Sequence, residues 1–140
     1  MAYANVAESE IPKMDEIKEL KKKIFLTAYK AGAAHLASSF SVIDLLYVLY
    51  CKQIIRFDSQ NPWSKSRDRL ILSKGHAGLA LYVILNKVGL INDQMLEKYC
   101  QPDSCLGGEP KLGAAPGIEA STGSLGHGLS FAVGIALACK

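Results

Sequence analysis

Three short stretches combine residue types that could hold a polar ligand and work on it. The first is "AAHLASSFS", where His35 stands among small residues and near Ser38. The second is "LILSKGHAG", where Lys74 and Gly75 turn an apolar run into His76. The third is "TGSLGHG", residues 122–128, a loop rich in Gly and Ser that runs into an apolar segment. An imidazole can donate, accept or move a proton near neutral pH. Small residues let the backbone approach a ligand closely, and free N–H groups at a helix start receive anions. Each stretch taken singly also fits plain packing, with the histidine as a cap or core residue and the loop as a tight helix seat. The third stretch has neither the G-x-x-x-x-G-K-[ST] pattern of a phosphate loop nor the G-x-G-x-x-G dinucleotide fingerprint.

The elements that must position these residues are mostly helical. Ile17, Leu20, Ile24, Ala28 and Ala31 recur at three- and four-residue spacing and predict a helix from Met14 to Ala31. Asp15 and Glu16 suit its positive end, and Lys21–Lys23 fall mostly on its wet side. Ser41 and Asp44 form an S-x-x-D capping signature ahead of "VIDLLYVLYCK", a helix apolar almost all round and so expected to be buried. Leu70 to Ser73 reads as a short strand, followed by a helix from His76 to about Val88 that Gly89 ends. "NDQMLEKYC" is a short helix, residues 101–122 are loop, and a last helix begins near Leu125 or Gly126. A strand–turn–helix places His76 at the carboxyl end of a strand, where ligands gather in open α/β sheets. One apolar strand cannot form a sheet alone, and the last helix has no stop signal, so a larger unit is expected.

Composition narrows the class. The chain has 140 residues, 49% of them hydrophobic, and a formal net charge of +3. The basic residues are scattered apart from "KELKKK", which does not make a nucleic-acid surface. No apolar run is long enough to span a membrane, and "MAYANVAESE" lacks the basic start and apolar stretch of a secretory signal. Residues 1–13 are expected to form a flexible arm. Cys51, Cys100, Cys105 and Cys139 make no C-x-x-C pair and no metal set, which fits reduced thiols in a cytoplasmic protein. Cys100 and Cys105 flank a Pro-Asp turn, so a disulfide between them is the other reading.

Together the three stretches resemble the N-terminal part of transketolases. "DRLILSKGHA" is similar to the family's "DRxxLSxGHA", and "PGIEASTGSLGHG" to its "PGxExxTGxLGxG". "AAHLASSFSVIDLLYVLY" matches its first histidine region, in the same order. "GSLGHG" is most similar to split bacterial and archaeal transketolases, whose halves are separate chains. The resemblance implies an α/β fold: the N-terminal portion of a thiamine-diphosphate-binding domain over residues 14–140, helix-rich, with a parallel sheet that this chain does not complete. It implies transfer of a two-carbon ketol unit from a ketose to an aldose. A C-terminal partner subunit would complete the enzyme, as a dimer of heterodimers, acting on phosphorylated or free sugars. It gives His35 and His76 to catalysis and to the cofactor's diphosphate and thiazolium. It also gives Gly123, Ser124, Leu125 and Gly126 to cofactor binding, and Ser38 and Glu109 to substrate.

Two departures accompany the match. The family's "GGHPE" histidine is replaced by Glu109 in "LGGEPK", with Lys111 close behind. A carboxylate accepts hydrogen bonds but repels anions, which points to a different donor or to an inactive site. The family's G-D-G magnesium motif does not occur in these 140 residues, so Mg2+ ligands are expected outside them. The aminopyrimidine's activating glutamate is likewise expected from the C-terminal half. Two other functions stay open: acyl or acyloin transfer with the same cofactor, and a non-catalytic scaffold that pairs through apolar helices.

Overall fold

A computed structural model describes residues 14–140; the expected arm at residues 1–13 lies outside the described residues. Helix α1 spans Met14–Ala31 and buries Ile17, Leu20, Ile24 and Ala28 on one face. It ends at Gly32, whose φ of 60° only glycine adopts freely. There Ala33 N–H reaches back to Ala28 O at 2.9 Å and closes the last turn.

Helix α2 (Leu36–Phe40) and helix α3 (Ile43–Cys51) follow at once. Helix α2 is an addition to the elements expected from sequence. It is one turn long, and its single apolar pair, Leu36 and Phe40, is too short a pattern to reveal it. The S-x-x-D capping box does not form. Ser41 closes α2 instead, its hydroxyl donates to Ser38 O at 2.8 Å, and Val42 precedes α3 with no side-chain cap. Asp44 pairs with Lys21 at 3.2 Å. Helix α3 is also less enclosed than its composition suggests: Ile43, Leu46, Tyr47 and Tyr50 are buried, but Leu45 is 61% exposed.

A 3-10 turn, Gly75–Ala77, leads into helix α4 (Gly78–Lys87). Helix α4 is the centre of the fold. Every residue from Gly78 to Leu85 is buried, and it packs on α1, α2, α3 and α5. Fully burying one Leu, Ile or Val contributes about 1.5–3 kcal/mol, so this helix carries much of the core. Helix α5 (Asp93–Glu97) starts at Asn92, whose side-chain oxygen accepts from Met95 N–H at 2.9 Å. Residues 101–122 form loop and turn, and helix α6 spans His127–Ala138.

The strand expected at Leu70–Ser73 is not formed; no strand is present among the described residues. Leu70 and Leu72, two apart, pack on the core as a strand's inner face would. A strand, however, needs a ladder of hydrogen bonds to a neighbour, and none of the described residues provides one. The chain is therefore the helix-rich part of the expected fold without its sheet. No helix among the described residues is long and apolar enough to cross a membrane. All four cysteines are free thiols.

Candidate functional site

The 3-10 turn after residue 73 brings the second stretch against the other two. His76 lies on it, and its ring meets His35 with centroids 5.5 Å apart and planes tilted by 51°. His35 heads α2 with φ 70° and ψ 24°, a left-handed conformation that costs a non-glycine residue about 1–2 kcal/mol. Lys74 ties the two segments together. Its ammonium donates to Ser41 Oγ at 2.9 Å and lies 3.5 Å from Ser38 O.

Gly75 brings in the third stretch. A Cβ on it would sit 2.6 Å from Gly123 N and closer still to the carbonyl of Thr122. Backbone thus rests directly on backbone, and only glycine permits it. One step on, a Cβ on Gly128 would lie 2.5 Å from Ser73 Cα, which seats the first turn of α6 on the end of the 70–73 segment. Gly126, with φ 91°, makes the turn into α6.

The PGIE segment is fixed from below by buried charge. Glu119 accepts from Arg67 through both oxygens, at 2.8 and 2.9 Å, and from Arg69 at 3.0 Å. The three side chains are 8%, 10% and 25% exposed. Arg67 also donates to Ser64 O at 2.8 Å. A paired guanidinium fork suits a carboxylate and holds it in one orientation.

Above this anchor lies an open cleft of about 950 Å3, whose walls include Glu109, Lys111, Thr122, Gly123, Ser124 and His127. Thr122 N–H donates to Pro110 O at 3.2 Å and joins the two walls. Its hydroxyl is buried with no hydrogen-bond partner. A buried hydroxyl without a partner is costly unless something fills that role. The Glu109 carboxylate lies directly against Gly123, where a side chain would collide with its oxygens.

Of the expected site residues, His35 and His76 meet each other, and Gly123, Ser124 and Glu109 share the cleft. The histidine pair borders the cleft through Gly75 and does not line it. Leu125 and Gly126 are exposed at the mouth of α6, and Ser38 is half-buried in α2 with its carbonyl engaged. Sequence reasoning gives no site role to Lys74, Thr122 or His127, although Lys74 stands in the turn before His76 and the other two lie within "TGSLGHG". Among the described residues no group of three or more His, Cys, Asp or Glu comes together to hold a metal ion. A groove of about 660 Å3 along α1, walled by Leu20, Leu26, Leu96 and a mixed charged rim, contains none of these residues.

Comparison with known proteins identifies the family. The family described as "Transketolase, thiamine diphosphate binding domain" matches residues 15–140. The chain is 40% identical over 120 residues to an apulose-4-phosphate transketolase subunit of Phocaeicola vulgatus, covering 86% of this chain and 42% of that protein. It is 35% identical over 135 residues to the 6-deoxy-6-sulfo-D-fructose transketolase subunit SqwG of a Clostridium species, covering 96% of this chain and 49% of that protein. It therefore spans less than half the length of either relative. The fold superposes on transketolase from Leishmania mexicana with a TM-score of 0.79 at 24% identity, over 91% of this chain and 19% of that one. The chain belongs to the transketolase family and carries the N-terminal, helix-rich part of its thiamine-diphosphate-binding domain.

Proposed function

We propose that this chain supplies one wall of a thiamine diphosphate site in a transketolase that transfers a two-carbon ketol unit from a ketose to an aldose. The observation that carries this reading is the meeting of three distant segments. His35 and His76 pair, and Gly75 beside them rests on the loop that begins at Thr122 and Gly123. The residues present fit the cofactor: a diphosphate needs donors and close backbone, and the buried Thr122 hydroxyl lacks a partner. Gly123, Ser124, Leu125 and Gly126 would hold the cofactor, with His35 and His76 beside it. Bound thiamine diphosphate supplies the carbanion-stabilising chemistry, and the protein orients the substrate and moves protons. In this site the imidazoles donate to and accept from donor hydroxyls, with Ser38 close to His35 as a further substrate contact.

Glu109 is the residue that sets the donor. Lying against Gly123, its carboxylate accepts hydrogen bonds from sugar hydroxyls and disfavours an anionic donor, while Lys111 in the same cleft offsets its charge toward the diphosphate. Mg2+ ligands and the base for the aminopyrimidine would come from outside residues 14–140. Both relatives are named as transketolase subunits, which makes a second, C-terminal subunit the natural source of the base, in a dimer of heterodimers. The test is a donor panel on this chain assembled with that subunit. Thiamine-diphosphate-dependent turnover of ketoses is expected, with pyruvate-like acids poor because their carboxylate would face Glu109. Turnover of the acids alone would assign acyl transfer instead. No turnover of either would overturn the enzyme reading and leave the scaffold.

A further inference from the structure

The pairing of His35 with His76 needs something to hold it. His35 occupies a left-handed backbone conformation at the head of a one-turn helix. Such a conformation persists only where surrounding contacts over-determine it. Within its own segment, Ser39 N–H bonds to His35 O at 3.1 Å, and Ser41 Oγ closes the turn on Ser38 O. From the other segment the polar side-chain link is Lys74. It reaches Ser41 Oγ at 2.9 Å and approaches Ser38 O, among the last carbonyls of α2, where positive charge is favoured. Lys74 is also two residues before His76, across the buried Gly75.

We infer that Lys74 is a positioning residue: its ammonium clips the end of α2 to the 3-10 turn and so fixes the spacing of the two imidazoles. The lysine touches neither ring. It acts by joining the two segments that carry them. The step from ring spacing to catalysis rests on the function proposed above; the clip itself does not.

The chain has three histidines, so selective 13C labelling of histidine gives a readable spectrum. At 5.5 Å between centroids the rings of His35 and His76 are within reach of an inter-ring NOE. Lys74→Met keeps the stem and removes the donors; Lys74→Arg keeps the charge and the donors. The NOE is expected in the wild type and in Lys74→Arg, and is expected to vanish in Lys74→Met. Where Lys74→Met does not fold, Ser41→Ala removes the acceptor end, and the same loss of the NOE is expected. Retention of the NOE at wild-type strength in the variant that folds would overturn the inference. In the assembled enzyme, Lys74→Met is expected to lower kcat by about ten- to a hundredfold with KM little changed, as misplaced groups do. Loss of the NOE in Lys74→Met, together with no turnover by the wild-type assembly, would sustain the clip and refute the proposed function. An unchanged NOE in Lys74→Met, together with turnover by the wild-type assembly, would do the reverse.

Discussion

Replacing Gly75 by alanine tests the central contact of the site. The new methyl would lie 2.6 Å from Gly123 N, where ordinary contact begins at 3.4 Å, so something must retreat by about 0.8 Å or more. The obstacle is backbone on both sides, Thr122 and Gly123, and cannot swing aside as a side chain would. Overpacking of this kind costs about 1–3 kcal/mol. Against this, alanine restricts the unfolded chain and returns about 0.4–1 kcal/mol. At mid-range the net loss is about 1.3 kcal/mol, or about 4–5 °C in Tm for a chain of this length. Gly134→Ala is the control. It lies within α6, nothing stands within 4 Å of its Cβ position, and better helix propensity should raise stability by about 0.8–1 kcal/mol. Thermal and urea unfolding of the two variants should therefore move in opposite directions. In the assembled enzyme with Mg2+, titration with thiamine diphosphate should show weaker binding to Gly75→Ala, because the displaced residues are those of the loop. A Gly75→Ala protein that melts at or above the wild type would show that the turn does not rest on residues 122–123, and the reasoning from convergence would fall with it.

Two further substitutions probe what lies beneath the site. Glu119→Gln leaves Arg67 and Arg69 facing a neutral amide in a mostly buried setting, and should cost about 3 kcal/mol in urea unfolding; loss of less than about 1 kcal/mol would mean that the cluster is solvated. Tyr82→Phe removes a hydroxyl that is buried without a partner, and whose pKa burial pushes well above the usual phenol value. It should leave Tm unchanged or raise it, since no hydrogen bond is lost; a clear drop would reveal a partner for the hydroxyl.

The sequence makes some of this fold plain and hides the rest for physical reasons. The stripe Ile17–Leu20–Ile24–Ala28 and the apolar run of α4 are local periods, and both emerge as read. Helix α2 is not legible, because one turn led by a left-handed histidine, with Leu36 and Phe40 on the core, is held by neighbours rather than by propensity. The Ser41–Asp44 signature misleads because Ser41 commits its hydroxyl to the helix before it and Asp44 pairs with Lys21. Leu70–Ser73 has the pattern of a strand, but a strand is a relation between two runs of residues, and pattern alone cannot supply the second. In the site, residue types were visible and their meeting was not. That Gly75 lies on Thr122 and Gly123 is a contact between distant segments, and no spacing within either one encodes it.

Helix α6 has a consequence for the order in which the molecule opens. It buries only Gly128, while Leu129 and Leu137 are 71% and 65% exposed, in contrast to α4. Local stability follows buried contact, so in these 140 residues alone amide exchange should be fast along α6 and slow along α4, and a partner covering α6 should slow it. Residues 123–126 are the frontier between these two regimes. A ligand that engages the loop there does more than fill a cleft. It draws on the ordering of a whole helix, so its affinity and the protection of that helix must rise and fall together.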